Sequence, residues 1–179
     1  MKPEAGKGTW RAVALLVVGG GLSMLKRHYA HSSIEGLVFI LSPTARLVTL
    51  LSGVRFDLES GIGYLSHDRL FAIAKPCAGV NFMVAAAALL GFVFSRRAFD
   101  LASTCVSVGG TFAVSYAASV LVNAVRIAVA MRLAAHPLAS EFWTAARVHR
   151  VLGIIVYFGG LAFLQVAAAR ATAPRRCSP

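Results

Sequence analysis

Lys75-Pro76-Cys77-Ala78-Gly79-Val80-Asn81-Phe82 is the stretch whose reading decides the fold. It is polar and turn-capable, and it opens an apolar run that reaches Phe94 with no charge until Arg96. Pro76 has the fixed φ that suits a first helical turn, so the octet reads as the start of a spanning helix at a membrane surface. The predicted helix covers 77–94, about 27 Å at 1.5 Å per residue and just enough for a hydrocarbon core. Cys77 then falls in its first turn. A thiol there meets the positive end of the helix dipole and unpaired N–H groups, which favour thiolate. Cys77 is the candidate nucleophile, weighed against the commoner role of an apolar-segment cysteine as a small hydrophobe.

Composition agrees with a membrane setting. Of 179 residues, 58% are hydrophobic and only 14% charged, with a mean hydropathy of +0.72. Once the apolar runs are set aside, no soluble domain of useful size is left. The fold class is an all-α polytopic membrane protein with about five transmembrane helices, at 10–25, 34–54, 77–94, 101–122 and 151–169, forming one membrane domain. The net charge of +11 comes from 18 Lys and Arg. These lie mostly between or beside apolar runs, which fits membrane flanks rather than a nucleic-acid surface. Cys77, Cys105 and Cys177 form no CxxC pair and have no histidine at ligand spacing, so neither a disulfide framework, a metal nor any other cofactor is indicated.

The first run contains Gly19-Gly20-Gly21, which weakens helix, and no small-residue cleavage site precedes Lys26; it reads as an uncleaved span rather than a signal peptide. In the second, Pro43 predicts a kink, and Arg46 near the middle points to a broken span. Residues 55–75 alternate around Ser60-Gly61-Ile62-Gly63 and read as a small β-hairpin outside the bilayer, before the third span. Phe142 and Trp143 suit an interfacial segment at 141–150, and 170–179 is a polar tail.

Counting spans brings three groups to one face. Cys77 opens the third span, Asn123 and Arg126 follow the end of the fourth, and His149 immediately precedes the fifth. Asn81 is four residues after Cys77, Arg126 three after Asn123 and Gly153 four after His149, so each pair shares a helical face. Singly, an arginine at a helix end usually snorkels to phosphate and an interfacial histidine is usually solvated. Their convergence with Cys77 is what singles them out. Cys105 and Cys177 have no such company.

The ordered set resembles the exosortase and archaeosortase membrane transpeptidases. The resemblance rests on Cys-Ala-Gly at 77–79, Asn-x-x-Arg-Ile at 123–127, and His149 with Gly153. It extends to the lead-in with Pro43 and Leu50-Leu51 and covers about residues 40–165. The Pro-Cys-Ala-Gly-Val-Asn form and the short chain look most like the exosortase K subgroup. Extra N-terminal spans and a fused C-terminal domain, frequent in that family, are not in this sequence.

The resemblance implies a thiol protease and transpeptidase in a bacterial inner membrane. Its partners would be membrane-anchored exported proteins, cut at a C-terminal sorting signal on the extracytoplasmic side and passed to an acceptor. Cys77 would be the nucleophile, His149 the base and later acid, and Arg126 the holder of an oxyanion or carboxylate. Asn81 and Asn123 would be supporting donors. The rival reading is a transporter subunit or assembly scaffold that binds anionic groups.

Orientation is contested by charge. With Cys77 outside and both early runs crossing, the N-terminus lies outside, and Lys2, Lys7 and Arg11 join an outer excess that the positive-inside tendency disfavours. If one early run is re-entrant, the N-terminus moves to the other face. The sequence leaves both topologies of residues 1–54 open.

Overall fold

The computed structural model describes residues 5–68, 70–135 and 145–172. It is mostly helical: α1 (Ala5–His31), α2 (Val38–Ser52), α3 (Val80–Phe94), α4 (Leu101–Ala135) and α5 (Ala145–Thr172), with β1 (Phe56–Glu59), β2 (Gly63–Ser66) and β3 (Ala72–Ile73) between α2 and α3. Among the described residues, five helical segments are long and apolar enough to cross a membrane: Gly8–His31, Glu35–Ser52, Lys75–Arg97, Leu101–Ala134 and Arg150–Thr172. Of the interfacial segment expected at 141–150, residues 141–144 lie outside the described residues and 145–150 form the first turns of α5; the tail beyond Thr172 also lies outside them.

The most apolar helix, α3, is the hub, packed against α1, α4 and α5. Neighbour contacts fix the directions. Val18 lies against Gly91 and Lys26 against Asn81, so α1 runs antiparallel to α3. Phe94 lies near Gly110 and Asn123 of α4 near Gly79, so α4 is antiparallel to α3 as well. Gly153 of α5 meets Arg126, and Gly160 meets Val122 and Phe82, which makes α5 parallel to α3. The bundle therefore has a Cys77 end and an Arg97 end. The far end is tied where Arg97 donates to the Ala171 carbonyl at 2.8 Å.

The early topology resolves in one direction. Arg11 stacks on Phe92 near the Arg97 end, whereas Tyr29 donates to the Lys75 carbonyl and Lys75 Nζ donates to the carbonyls of Ala30 and Ser32. The Ala5 end of α1 is thus opposite Cys77. From there α2 runs parallel to α4: Tyr116 reaches the Phe39 carbonyl at 2.7 Å and Arg132 the Leu51 carbonyl at 3.3 Å. Since Asn123 stands level with Cys77, α2 starts near that end and continues away from the α3 body. Its companion is the distal part of α4, a 35-residue helix that at about 1.5 Å per residue outreaches a hydrocarbon core of about 30 Å.

Three local expectations change. Gly19-Gly20-Gly21, expected to weaken the first span, lies inside a continuous α1, where Gly21 receives the Phe112 ring so closely that a Cβ would lie 2.5 Å from it; such packing offsets the low helix propensity of glycine. Pro43 does not break α2. Lacking an N–H, proline leaves the carbonyl four residues back unpaired; that carbonyl is Phe39's, and the Tyr116 hydroxyl takes it. Arg46 is exposed. The hairpin gains a third strand, giving an antiparallel sheet in the order β1-β2-β3, with Phe56 opposite Ser66 and Tyr64 opposite Ile73. Ile73, at its last strand, is buried in the same core cluster as Leu41, Val48 and Val80, and that anchors the chain as it enters the Cys77 turn.

Candidate functional site

Cys77 closes a short 3-10 turn, Lys75–Cys77, with Pro76 inside it. The α-helix begins only at Val80, after Gly79 at φ 70°. This corrects the expected first-turn placement: Cys77 precedes the helix on a left-handed elbow. The reason lies in Gly79, whose absent Cβ would stand 3.0 Å from Ser119 Oγ and 3.2 Å from Asn123. A side chain is excluded there both by conformation and by space.

The elbow is held by α4. Ser119 Oγ donates to the Gly79 carbonyl at 2.9 Å, and Asn123 Nδ2 donates to the Cys77 carbonyl. Both side chains are fully buried. They end a stripe of buried polar residues, Thr104, Ser107, Thr111, Ser115, Ser119, Asn123 and Arg126, whose three- and four-residue spacing keeps them on one face. Lower in the stripe the hydroxyls bond within the helix, as Thr111 does to Ser107 and Ser115 to Thr111, so small side chains let neighbouring helices approach at no polar cost. At Ser119 and Asn123 they switch to the elbow.

Arg126 lies one turn beyond Asn123, inside α4, which runs on to Ala135, rather than at the helix end expected from the sequence. It is only 9% exposed. Its guanidinium sits over the Tyr157 ring, 5.1 Å from the centroid, and its buried Nε has no hydrogen-bond partner among the described residues. Gly153 lies next to it: a Cβ there would be in ordinary van der Waals contact with the Arg126 guanidinium, at 3.6 Å. Tyr157 in turn donates to Asn123 Oδ1 at 3.2 Å and packs tilted against Phe82, the ring centroids 5.3 Å apart; Cys77 is half-buried.

The expected site residues therefore divide. Cys77, Asn123 and Arg126 gather around Tyr157. His149 is in the second turn of α5, which starts at Ala145 and not after His149; its side chain lies outside the described residues. Its backbone position is one turn before Gly153, on the face that carries Gly153 and Tyr157. Asn81 does not join the site. It is exposed and accepts a 2.8 Å hydrogen bond from Lys26 Nζ, toward α1. Cys105 is exposed, apart from this cluster, and Cys177 lies outside the described residues.

Ser119 and Tyr157 were missed. The signal for Ser119 was the hydroxyl periodicity from Thr104 onward, and for Tyr157 its eight-residue distance from His149 on the face of Gly153. What the arrangement offers chemically is a half-buried thiol on an elbow held by Asn123, and, one helical turn beyond Asn123, a buried cation with an unused donor. Comparison with models of known families, with curated proteins and with solved structures finds no match to this chain.

Proposed function

We propose that this protein is an exosortase-like membrane cysteine transpeptidase. The observation that carries the reading is Arg126: a guanidinium this buried, with a free Nε donor, one helical turn beyond the Asn123 that holds the Cys77 turn. Desolvating a guanidinium is costly unless an anion or aromatic face compensates. Tyr157 supplies the face, and the open donor suits a developing oxyanion or a substrate carboxylate.

In this reading His149 takes the Cys77 thiol proton and the resulting thiolate attacks the scissile carbonyl carbon. The tetrahedral oxyanion is stabilised by Arg126. The C–N bond then breaks, the amine leaves with the proton from His149, and a thioester joins the substrate to Sγ. An acceptor nucleophile attacks the thioester, the C–S bond breaks, and Cys77 regains its proton. The substrate is an exported protein anchored by a C-terminal sorting signal. The site faces the extracytoplasmic side of a bacterial inner membrane. That orientation is supported by the direction of α1, which puts Arg11 with Arg96 and Arg97 at the opposite, cytoplasmic end.

Co-expression with candidate membrane-anchored substrates tests this. A covalent acyl-enzyme should be trapped on Cys77, and Cys77→Ser should abolish processing with the protein still inserted, since serine is nearly isosteric yet scarcely ionised near neutral pH. Full processing by Cys77→Ser would replace the enzyme by an anion-binding scaffold or transporter subunit.

A further inference from the structure

We propose that Tyr157 is the positioning residue of this site: its hydroxyl orients Asn123 and its ring face holds Arg126, so that α5 sets the geometry of the Cys77 turn. The relay has one direction. A backbone carbonyl can only accept, so the Asn123 end bonded to Cys77 is Nδ2. Oδ1 is then the end that faces Tyr157, and the tyrosine must donate to it. Because that proton is committed, the hydroxyl cannot also donate to an incoming group. The ring does separate work, placing its electron-rich face under the Arg126 guanidinium. The ring is held by its tilted contact with Phe82, and the Arg126 guanidinium that it faces also lies next to Gly153, one turn earlier on α5. One side chain of α5 thereby sets a helix-to-elbow hydrogen bond and a helix-to-helix cation contact.

The proposal rests on Cys77 and Arg126 forming one site, but its test needs no turnover. In the full chain with Cys105→Ser and Cys177→Ser, in lipid nanodiscs, Cys77 is alkylated by anionic iodoacetate and by neutral iodoacetamide, and the rates are read by mass spectrometry. The ratio of anionic to neutral rates reports a cation held at the thiol, which mere helix packing does not set. Arg126→Gln should lower the ratio about fivefold, an effect of local charge. Tyr157→Leu should lower it nearly as far, about threefold or more, because the ring that holds the guanidinium is gone. Tyr157→Phe should keep the ratio, and should change the neutral rate as Asn123→Ala does, with no further change in the double variant. Phenylalanine retains the packing on Phe82, so the hydroxyl arm is measured on a folded protein. A wild-type ratio in Tyr157→Leu or in Arg126→Gln overturns the proposal, as do independent effects of Tyr157→Phe and Asn123→Ala. If the ratios behave as expected while Cys77→Ser still processes substrate, the transpeptidase reading fails and the positioning role stands.

Discussion

Asn123 of α4 is bonded through one amide end to the Cys77 carbonyl and through the other to the Tyr157 hydroxyl. A fully buried amide thus joins three chain segments that are far apart in sequence. Truncation strands two buried partners at once, so Asn123→Ala should destabilise the protein by about 1–3 kcal/mol. Asn123→Asp should be worse, since a carboxylate offers only acceptors to the Cys77 carbonyl. Thermal unfolding in detergent checks both, and an aspartate variant as stable as wild type would contradict the bond.

Gly79 is the second hinge of the site. At φ 70° with Ser119 Oγ 3.0 Å from a would-be Cβ, Gly79→Ala should cost about 1–2 kcal/mol from conformation alone, with a further steric cost. Combining it with Ser119→Gly should recover the share of the steric part that Ser119 causes and leave the conformational part with the Asn123 contact. Melting temperatures of the single and double variants separate the two; equal losses would mean that space is not limiting.

Arg126→Lys keeps the charge and loses the planar fork with its Nε donor. Processing should fall by about tenfold or more if that donor stabilises an oxyanion, while insertion and stability change little. His149→Ala should depress acylation and product release together, since the same group is assigned both proton transfers. Acyl-enzyme formation and product release, each timed on the cognate substrate, are the measurements, and a lysine variant with wild-type rates removes the fork from the mechanism.

The direction of α1 sets an accessibility pattern. In otherwise cysteine-free chains, Gly8→Cys and Ser33→Cys should react with a membrane-impermeant maleimide from opposite faces of sealed vesicles, and Ser33→Cys from the same face as Cys77 in a chain that keeps only that cysteine. Labelling of both positions from one side would mean that α1 does not cross.

Asp68 outside the spans gives a pH signature. Its carboxylate accepts from Ser66 Oγ at 2.6 Å and from the Leu70 amide at 3.1 Å, and these bonds hold its pKa below the ordinary carboxylate value. A depressed folded pKa adds stability that is fully present above the unfolded value and is lost as pH falls through the folded one. Hydrogen exchange at the Leu70 and Phe71 amides should therefore quicken on acidification below the ordinary carboxylate range. In Asp68→Asn the exchange should show no such pH-dependent step, once intrinsic rates are corrected for.

Hydropathy and span length were enough to read the helical class, the number of apolar helices and the β-structure before α3, because the cost of unpaired backbone in lipid leaves few options for a chain this apolar. Periodicity likewise put Arg126 on the face of Asn123, since a helix fixes which side chains share a side. Packing decided the rest. Pro43 stays within a helix because Tyr116, 73 positions along the chain, satisfies the carbonyl it frees. Asn81 turns to Lys26 because α1 happens to lie there, and Cys77 sits on an elbow before the helix because α4 offers Ser119 and Asn123 to its carbonyls. Tyr157 has no local motif at all. Its importance arises from where α5 crosses α4, and such a crossing depends on how whole helix surfaces fit, which no short stretch of sequence encodes.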